Sequence, residues 1–275
     1  MLRPPEPVYV LDVIPAERVA LLDLLGDLRP ADWSRSTRVG DWTVHDIAAH
    51  LVGDDLGRLS RTRDRHRAPR GPSGQTLKEL VDRLNREWVA AAYRLSPRVI
   101  RDLLEWTGPQ LLEYFSRLDP LAMGEPVSWA GHAPAPVWLD IAREFTERWH
   151  HQQQIREAVQ APPLTKAGFL RPALHTFARA LRPALGDESA MSGTCVTLVV
   201  DGVAGGSWTL VRDEDDWSLF EGVADQPTAR VVLDEDTAWR MYVRALPVAE
   251  IRRRARIDGD ERMGSRLLEA FALIS

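Results

Sequence analysis

The chain has a single cysteine, Cys195, in 275 residues. No internal disulfide can form, and no cysteine-based zinc site exists. No stretch approaches the ~18 consecutive apolar residues of a membrane span. The first ten residues, MLRPPEPVYV, lack the basic start and apolar run of a secretory signal. A reducing cytoplasm is the expected compartment. Lysine is scarce, with only Lys78 and Lys166 among 35 basic residues, a compositional preference that says nothing about chemistry. Net charge is only −5, which gives no global reason to expect nucleic acid or an acidic membrane as partner. A phosphate-binding glycine loop, a nucleophile elbow and a dinucleotide fingerprint are all missing.

What is present reads as two halves. Pro15 sits where a helix starts without losing a hydrogen bond, and Val19, Leu22, Leu25 and Leu28 follow at helical spacing. Thr43 and Asp46 make a capping box, so a second helix begins at Val44 with Val44, Ile47 and Leu51 as its stripe. Thr76 and Glu79 make another, followed by Leu77, Leu80, Leu84 and Trp88. Ser96-Pro97 opens a helix through Val99, Ile100 and Leu103. Residues 118–136 hold four prolines and two glycines and read as a loop. Trp138, Ile141, Phe145 and Trp149 mark one more helix, to about Ala158. Past Pro162-Pro163 and a helix near 172–184, strands are expected at 196–200, a β-branched run, and at 208–211, 217–220 and 229–233, with turn residues between them. Helices return near 236–245 and 260–272. The pattern predicts an all-α bundle over 1–164, then a smaller α+β domain over 165–275.

Glu147 and His151 lie four apart on a predicted helix, hence on one face. A carboxylate and an imidazole so placed can share a divalent ion, and His50, mid-helix beside an apolar stripe, is the best third ligand. Two histidines and one glutamate leave open positions, as a catalytic metal requires. The pair also sits nearly opposite the Ile141–Phe145–Trp149 stripe. It therefore faces water, or else the helix is covered on both sides. His150 is a weaker partner, about 100° round the helix and three residues from Glu147. His45, His66, His132 and His175 have no acidic or histidine neighbour at ligand spacing and read as surface or packing residues. The arginines 58, 61, 63, 65, 67 and 70 read as a solvated basic helix end and loop. Cys195 reads as a small core residue.

The same residues carry a resemblance. Gly40-Asp-Trp-Thr-Val-His-Asp-Ile-Ala-Ala-His50-Leu51 resembles the "GWTV-x-D-x-x-x-HL" helix of the mycothiol-dependent maleylpyruvate isomerase family, part of the wider DinB-like bundle group. Glu147-Arg-Trp-His-His151-Gln-Gln-Gln-Ile-Arg-Glu-Ala158 resembles its "E-x-x-x-H-x-x-D-I-R-x-A" helix. The resemblance implies that His50, Glu147 and His151 bind a catalytic zinc or another divalent ion in a DinB-like four-helix bundle. Trp239 onward and Ile257-Asp-Gly-Asp260 are similar to the sterol-carrier-like domain that often follows that bundle. One position departs: the family's aspartate in the second motif is Gln154, which hydrogen-bonds but brings no charge.

The expected function is that of an isomerase or S-transferase. It would use mycothiol or a similar small thiol against a small electrophilic substrate, with neither nucleic acid nor membrane as partner. The residues assign no catalytic group beyond the metal ligands. The other expectation is a non-catalytic binding protein for a small apolar ligand, with a structural metal or none.

Overall fold

The computed structural model describes residues 1–67, 74–186 and 188–272. Five α-helices come first: α1 (Ile14–Asp27), α2 (Val44–Arg58), α3 (Leu77–Ala92), α4 (Pro97–Ser116) and α5 (Val137–Val159). Both capping boxes form. Thr43 accepts from the Asp46 N–H while Asp46 reaches back to Thr43, and Thr76 and Glu79 do the same, satisfying backbone N–H groups that have no helical partner. Ser96 caps α4, with Pro97 in its first turn. No described helix is long and apolar enough to cross a membrane.

The second half adds α6 (Ala167–Phe177), α7 (Leu181–Leu185), β1 (Cys195–Asp201), β2 (Gly206–Arg212), β3 (Trp217–Glu221), β4 (Ala229–Asp234), α8 (Glu235–Tyr242), α9 (Val248–Arg254), β5 (Arg256–Gly259) and α10 (Glu261–Leu267). The five strands form one sheet in the order β3-β2-β1-β4-β5. β1 and β4 run parallel, and the other neighbours are antiparallel. Val196, Thr197 and Leu198 are all buried in succession, so the central strand β1 is covered on both faces. Its buried Thr197 hydroxyl meets that of Thr209 on β2 at 2.8 Å, which satisfies two polar groups inside the sheet. A helical N-terminal part and a C-terminal sheet domain are therefore both present.

By contacts the chain forms two compact units. One holds Val10–Asp119 and Glu147–Leu164; the other holds Met1–Tyr9, Pro120–Thr146 and Thr165–Ile274. Each unit draws on segments from both halves of the chain. The core of the first unit joins Leu21, Leu24 and Leu25 of α1, Ile47, Ala48 and Leu51 of α2, Ile100 and Leu104 of α4 and Ile155 of α5.

Several sequence expectations need correction. Leu77 and Leu84 of α3 are 57% and 46% exposed, and α3 buries only Val89 and Ala92 fully. The helix is held by the last member of that stripe, Trp88, whose indole N–H donates to the Ala49 carbonyl at 2.7 Å. This approach works because residue 53 is glycine: a Cβ there would lie 2.4 Å from Trp88 Cδ1. Arg58 is buried and lies 5.7 Å from the centroid of the Phe115 ring rather than in solvent, whereas Arg61, Arg63, Arg65 and Arg67 are exposed. Arg70 lies outside the described residues. Cys195 is half-buried. The 172–184 helix is broken by a 3₁₀ turn at Ala178–Ala180. α9 and β5 had no strong periodic signal, being seven and four residues long.

Candidate functional site

In α5 the six residues Arg148 to Gln153 are all buried. The helix is therefore covered on both sides there, which decides between the two readings of the Glu147–His151 face. Five of those six side chains are polar, so each needs a partner.

Beneath the candidate ligands lies a buried ionic network. Asp55, fully buried on α2, accepts from Arg148 Nη2 at 2.7 Å and Nε at 3.1 Å. Its other oxygen meets Arg18 Nη2 at 2.8 Å and accepts from the Thr107 hydroxyl at 2.5 Å. Glu17 accepts from Gln152 Nε2 at 2.7 Å, and Gln152 Oε1 accepts from Arg156. Burial raises the Glu17 pKa above its ordinary value, against the pull of Arg18 and Arg148. Four helices, α1, α2, α4 and α5, are tied together by this network.

Asp55 follows Asp54, and Arg148 follows Glu147. Fixing the first pair sets the second layer. The His50 and His151 rings meet edge to face with centroids 4.7 Å apart. Glu147 Oε2 lies 3.6 Å from His151 Nε2, and Asp54 Oδ2 lies 3.2 Å from His50 Nε2. The structure thus brings all three sequence candidates together and adds Asp54, which sequence reasoning missed. Its signal was its spacing, four residues after His50.

Gln154 fixes the ring orientations. Its Oε1 accepts from His151 Nδ1–H at 2.7 Å, and its Nε2–H donates to His150 Nε2 at 2.8 Å. With Gln154 Oε1 as the acceptor, the His151 proton lies on Nδ1, and Nε2 faces the Glu147 carboxylate at 3.6 Å. His150 spends its Nε2 lone pair on Gln154 and is not available as a ligand; its Nδ1 finds no partner among the described residues.

Burial, reinforced by Arg148, holds the His50 pKa down at about 4. Burial also lowers His151 to about 4; the neighbouring His50 adds to this, while Asp54 and the Gln154 hydrogen bond oppose it. Burial pushes His150 well below the usual histidine value. All three are neutral at pH 7, the state a metal ligand needs. The donor pairs also fit in separation: ligands ~2.1 Å from a tetrahedral ion sit roughly 3.4 Å apart. Among the described residues, however, no group of three or more His, Cys, Asp or Glu side chains closes as a metal cage. The donors stand as neighbouring pairs.

Of the other histidines, His45 Nε2 bonds the Leu95 carbonyl at 2.8 Å, and His66 and His132 are exposed. His175 has a long-range acidic neighbour that spacing could not reveal: its Nδ1 lies 3.8 Å from Glu221.

Comparison with known proteins bears on these residues. No curated protein sequence matches the chain. In fold it is similar to the crystal structure of the mycothiol-dependent maleylpyruvate isomerase and to that of a mutant of it. Each has a TM-score of 0.51 at 14% identity, covering 84% of this chain and 86% of that one. A lower-scoring likeness, with a TM-score of 0.42 at 14% identity, covers 54% of this chain and 92% of a colibactin self-resistance protein crystallised with double-stranded DNA; that score is too low to bear on this chain's partners. The model of the mycothiol maleylpyruvate isomerase N-terminal domain matches residues 14–156, just over half the chain, including His50, Glu147 and His151. The chain belongs to the mycothiol maleylpyruvate isomerase N-terminal domain family.

Proposed function

We propose that the protein is a metal-dependent, thiol-cofactor-dependent isomerase or S-transferase acting on a small electrophilic substrate. The observation that carries this reading is the His151 Nε2 lone pair aimed at Glu147, beside the neutral His50 ring. His50, Glu147 and His151 would hold one divalent ion, with zinc the first choice for two imidazoles and one carboxylate. When bound, such an ion lowers the pKa of a thiol that reaches it, so that the thiol reacts as thiolate near neutral pH. The chain's own contribution is positional. Gln154 holds His151 in the ligand tautomer, Asp55 and Arg148 hold α2 against α5, and burial keeps both imidazoles deprotonated.

Mycothiol, or a similar low-molecular-weight thiol, is the cofactor this reading names. Cis–trans isomerisation follows if the thiol adds to a double bond, rotation occurs about the resulting single bond, and elimination returns the thiol. Transfer follows if the adduct leaves. We read the helical part as a DinB-like bundle over 1–164 and the sheet part as a sterol-carrier-like domain over 165–275.

The test is metal analysis of the untagged protein beside His50→Ala, Glu147→Ala, His151→Ala and His150→Ala, then turnover of unsaturated and halogenated small acids with mycothiol. The expected result is about one metal per chain, lost in the first three variants and kept in the fourth, with thiol-dependent turnover. Equal metal content in all variants, or no thiol-dependent turnover by metal-loaded protein, overturns it. The second reading is a binding protein for a small apolar ligand with a structural metal or none. It is favoured by the donors standing in pairs rather than as a closed group among the described residues, and absence of turnover selects it.

A further inference from the structure

Gln154 joins two histidines of α5 that the ligand reading treats separately. It lies four residues after His150 and three after His151, and both spacings make helix neighbours. One end of the amide meets each ring. Oε1 is 2.7 Å from His151 Nδ1, and Nε2 is 2.8 Å from His150 Nε2. Both histidines are buried, at 4% and 9% exposure, so neither contact has bulk water as an alternative. His150 Nδ1 has no partner among the described residues. Of the two His150 ring nitrogens, only Nε2 is held.

An amide accepts at one end and donates at the other. Whichever way it faces, one of the two ring nitrogens that it meets carries a proton and the other does not. With Oε1 toward His151, that proton is on His151 Nδ1, and His150 carries its own on Nδ1 too. With the amide turned over, His150 is protonated on Nε2 and His151 Nδ1 is bare. The His151 proton is then on Nε2, the atom that lies 3.6 Å from the Glu147 carboxylate.

We propose that Gln154 locks His150 and His151 into the same tautomer, which makes His150 a positioning residue for His151. His151 Nε2 offers a lone pair only when His150 carries its proton on Nδ1. No net proton is gained or lost: both rings stay neutral, the amide turns over, and in each ring the proton passes from one nitrogen to the other. Mixed arrangements are disfavoured about 10-fold, because one ring then faces the wrong end of the amide and a buried hydrogen bond is lost. The coupling needs an amide. A carboxylate at position 154 would accept from both rings, with the His151 proton on Nδ1 and the His150 proton on Nε2. The role given to His150 requires no place in the ligand set, and the coupling operates with or without the proposed ion.

The test uses the full chain, stripped of metal by a chelator and labelled with nitrogen-15 in its histidine rings. Two-bond nitrogen–proton spectra read which nitrogen of each ring is protonated. His150→Phe and His151→Phe assign the two sets of signals. His45, whose Nε2 lies 2.8 Å from the Leu95 carbonyl, is the internal standard for a ring protonated on Nε2. The expected result in the unmodified protein is the same fraction of the Nδ1-protonated form in His150 and His151. In Gln154→Glu the two rings become opposite, His150 protonated on Nε2 and His151 on Nδ1, with His45 unchanged. Unequal fractions in the unmodified protein overturn the coupling, and so do matched rings in Gln154→Glu. If that variant does not fold, the unmodified protein decides by itself. Neither result depends on metal content, so the metal reading stands or falls separately.

Discussion

Arg148 grips Asp55 through two nitrogens, at 2.7 and 3.1 Å, with both side chains almost wholly out of solvent. Arg18 and Thr107 hold the other oxygen. Breaking such a group by removing one member leaves an uncompensated buried charge. Asp55→Ala is expected to lower stability by about 3–5 kcal/mol, read from urea unfolding. On the proposed metal reading it is also expected to lower metal affinity, because the α2–α5 register is lost. A loss under 1 kcal/mol shows that water reaches the arginines.

Gln154 decides which histidine presents a lone pair. Gln154→Ala is expected to reduce metal affinity roughly 10–100-fold and to leave His151 in mixed tautomers, visible in nitrogen chemical shifts of histidine-labelled protein. His150 then loses its fixed tautomer as well. If affinity and shifts both stay as they are, the backbone alone sets the ring orientation.

Glu17 carries the clearest pH dependence away from the ligands. Its folded pKa is raised above the ordinary 4.5 by burial. The folded state therefore binds the Glu17 proton more tightly than the unfolded chain does, and stability falls as pH rises. The contribution is fully present below the unfolded value and is lost as pH climbs through the folded one. Glu17→Gln keeps an oxygen for Gln152 and removes the titration. Its stability relative to the unmodified protein should rise with pH from 4.5 upward, measured by unfolding across a pH series. A constant difference contradicts the raised value.

Gly53 is required by an approach rather than by its backbone. Alanine is the better helix former by ~1 kcal/mol, yet Gly53→Ala should destabilise by about 1–3 kcal/mol through contact with the Trp88 indole. A variant with raised melting temperature would mean that α3 shifts away at little cost.

Much of the local structure was legible. Thr43–Asp46 and Thr76–Glu79 announced two helix starts, because a capping box is a local device. The β-branched run 196–200 and the short apolar segments between turn residues announced β1 to β4. The pairing of β1 with β4 in parallel was not legible, since it joins strands across two intervening ones. The site was legible as far as Glu147 and His151, whose spacing is local, and His50 came from its motif. Asp55, Glu17 and Arg18 were missed because a charge in sequence reads as solvated. A signal did exist: Asp55 continues Ile47 and Leu51 at a spacing of four, which places a carboxylate on the apolar stripe. The α3 stripe held only at its C-terminal end. Leu77 and Leu84 have helical spacing, yet the helix meets α2 through Trp88.

The ion pair between Asp55 and Arg148 spans 93 residues of sequence. Closing a loop of that length costs about 4 kcal/mol of chain entropy on the logarithmic scaling alone. α2 leaves the ribosome long before α5, so His50 and Asp54 are synthesised without their partners. A growing chain therefore carries His50 and Asp54 apart from Glu147 and His151 until α5 follows. Assembly of the histidine–carboxylate cluster thereby waits on synthesis of α5, which is the timing element of the bundle.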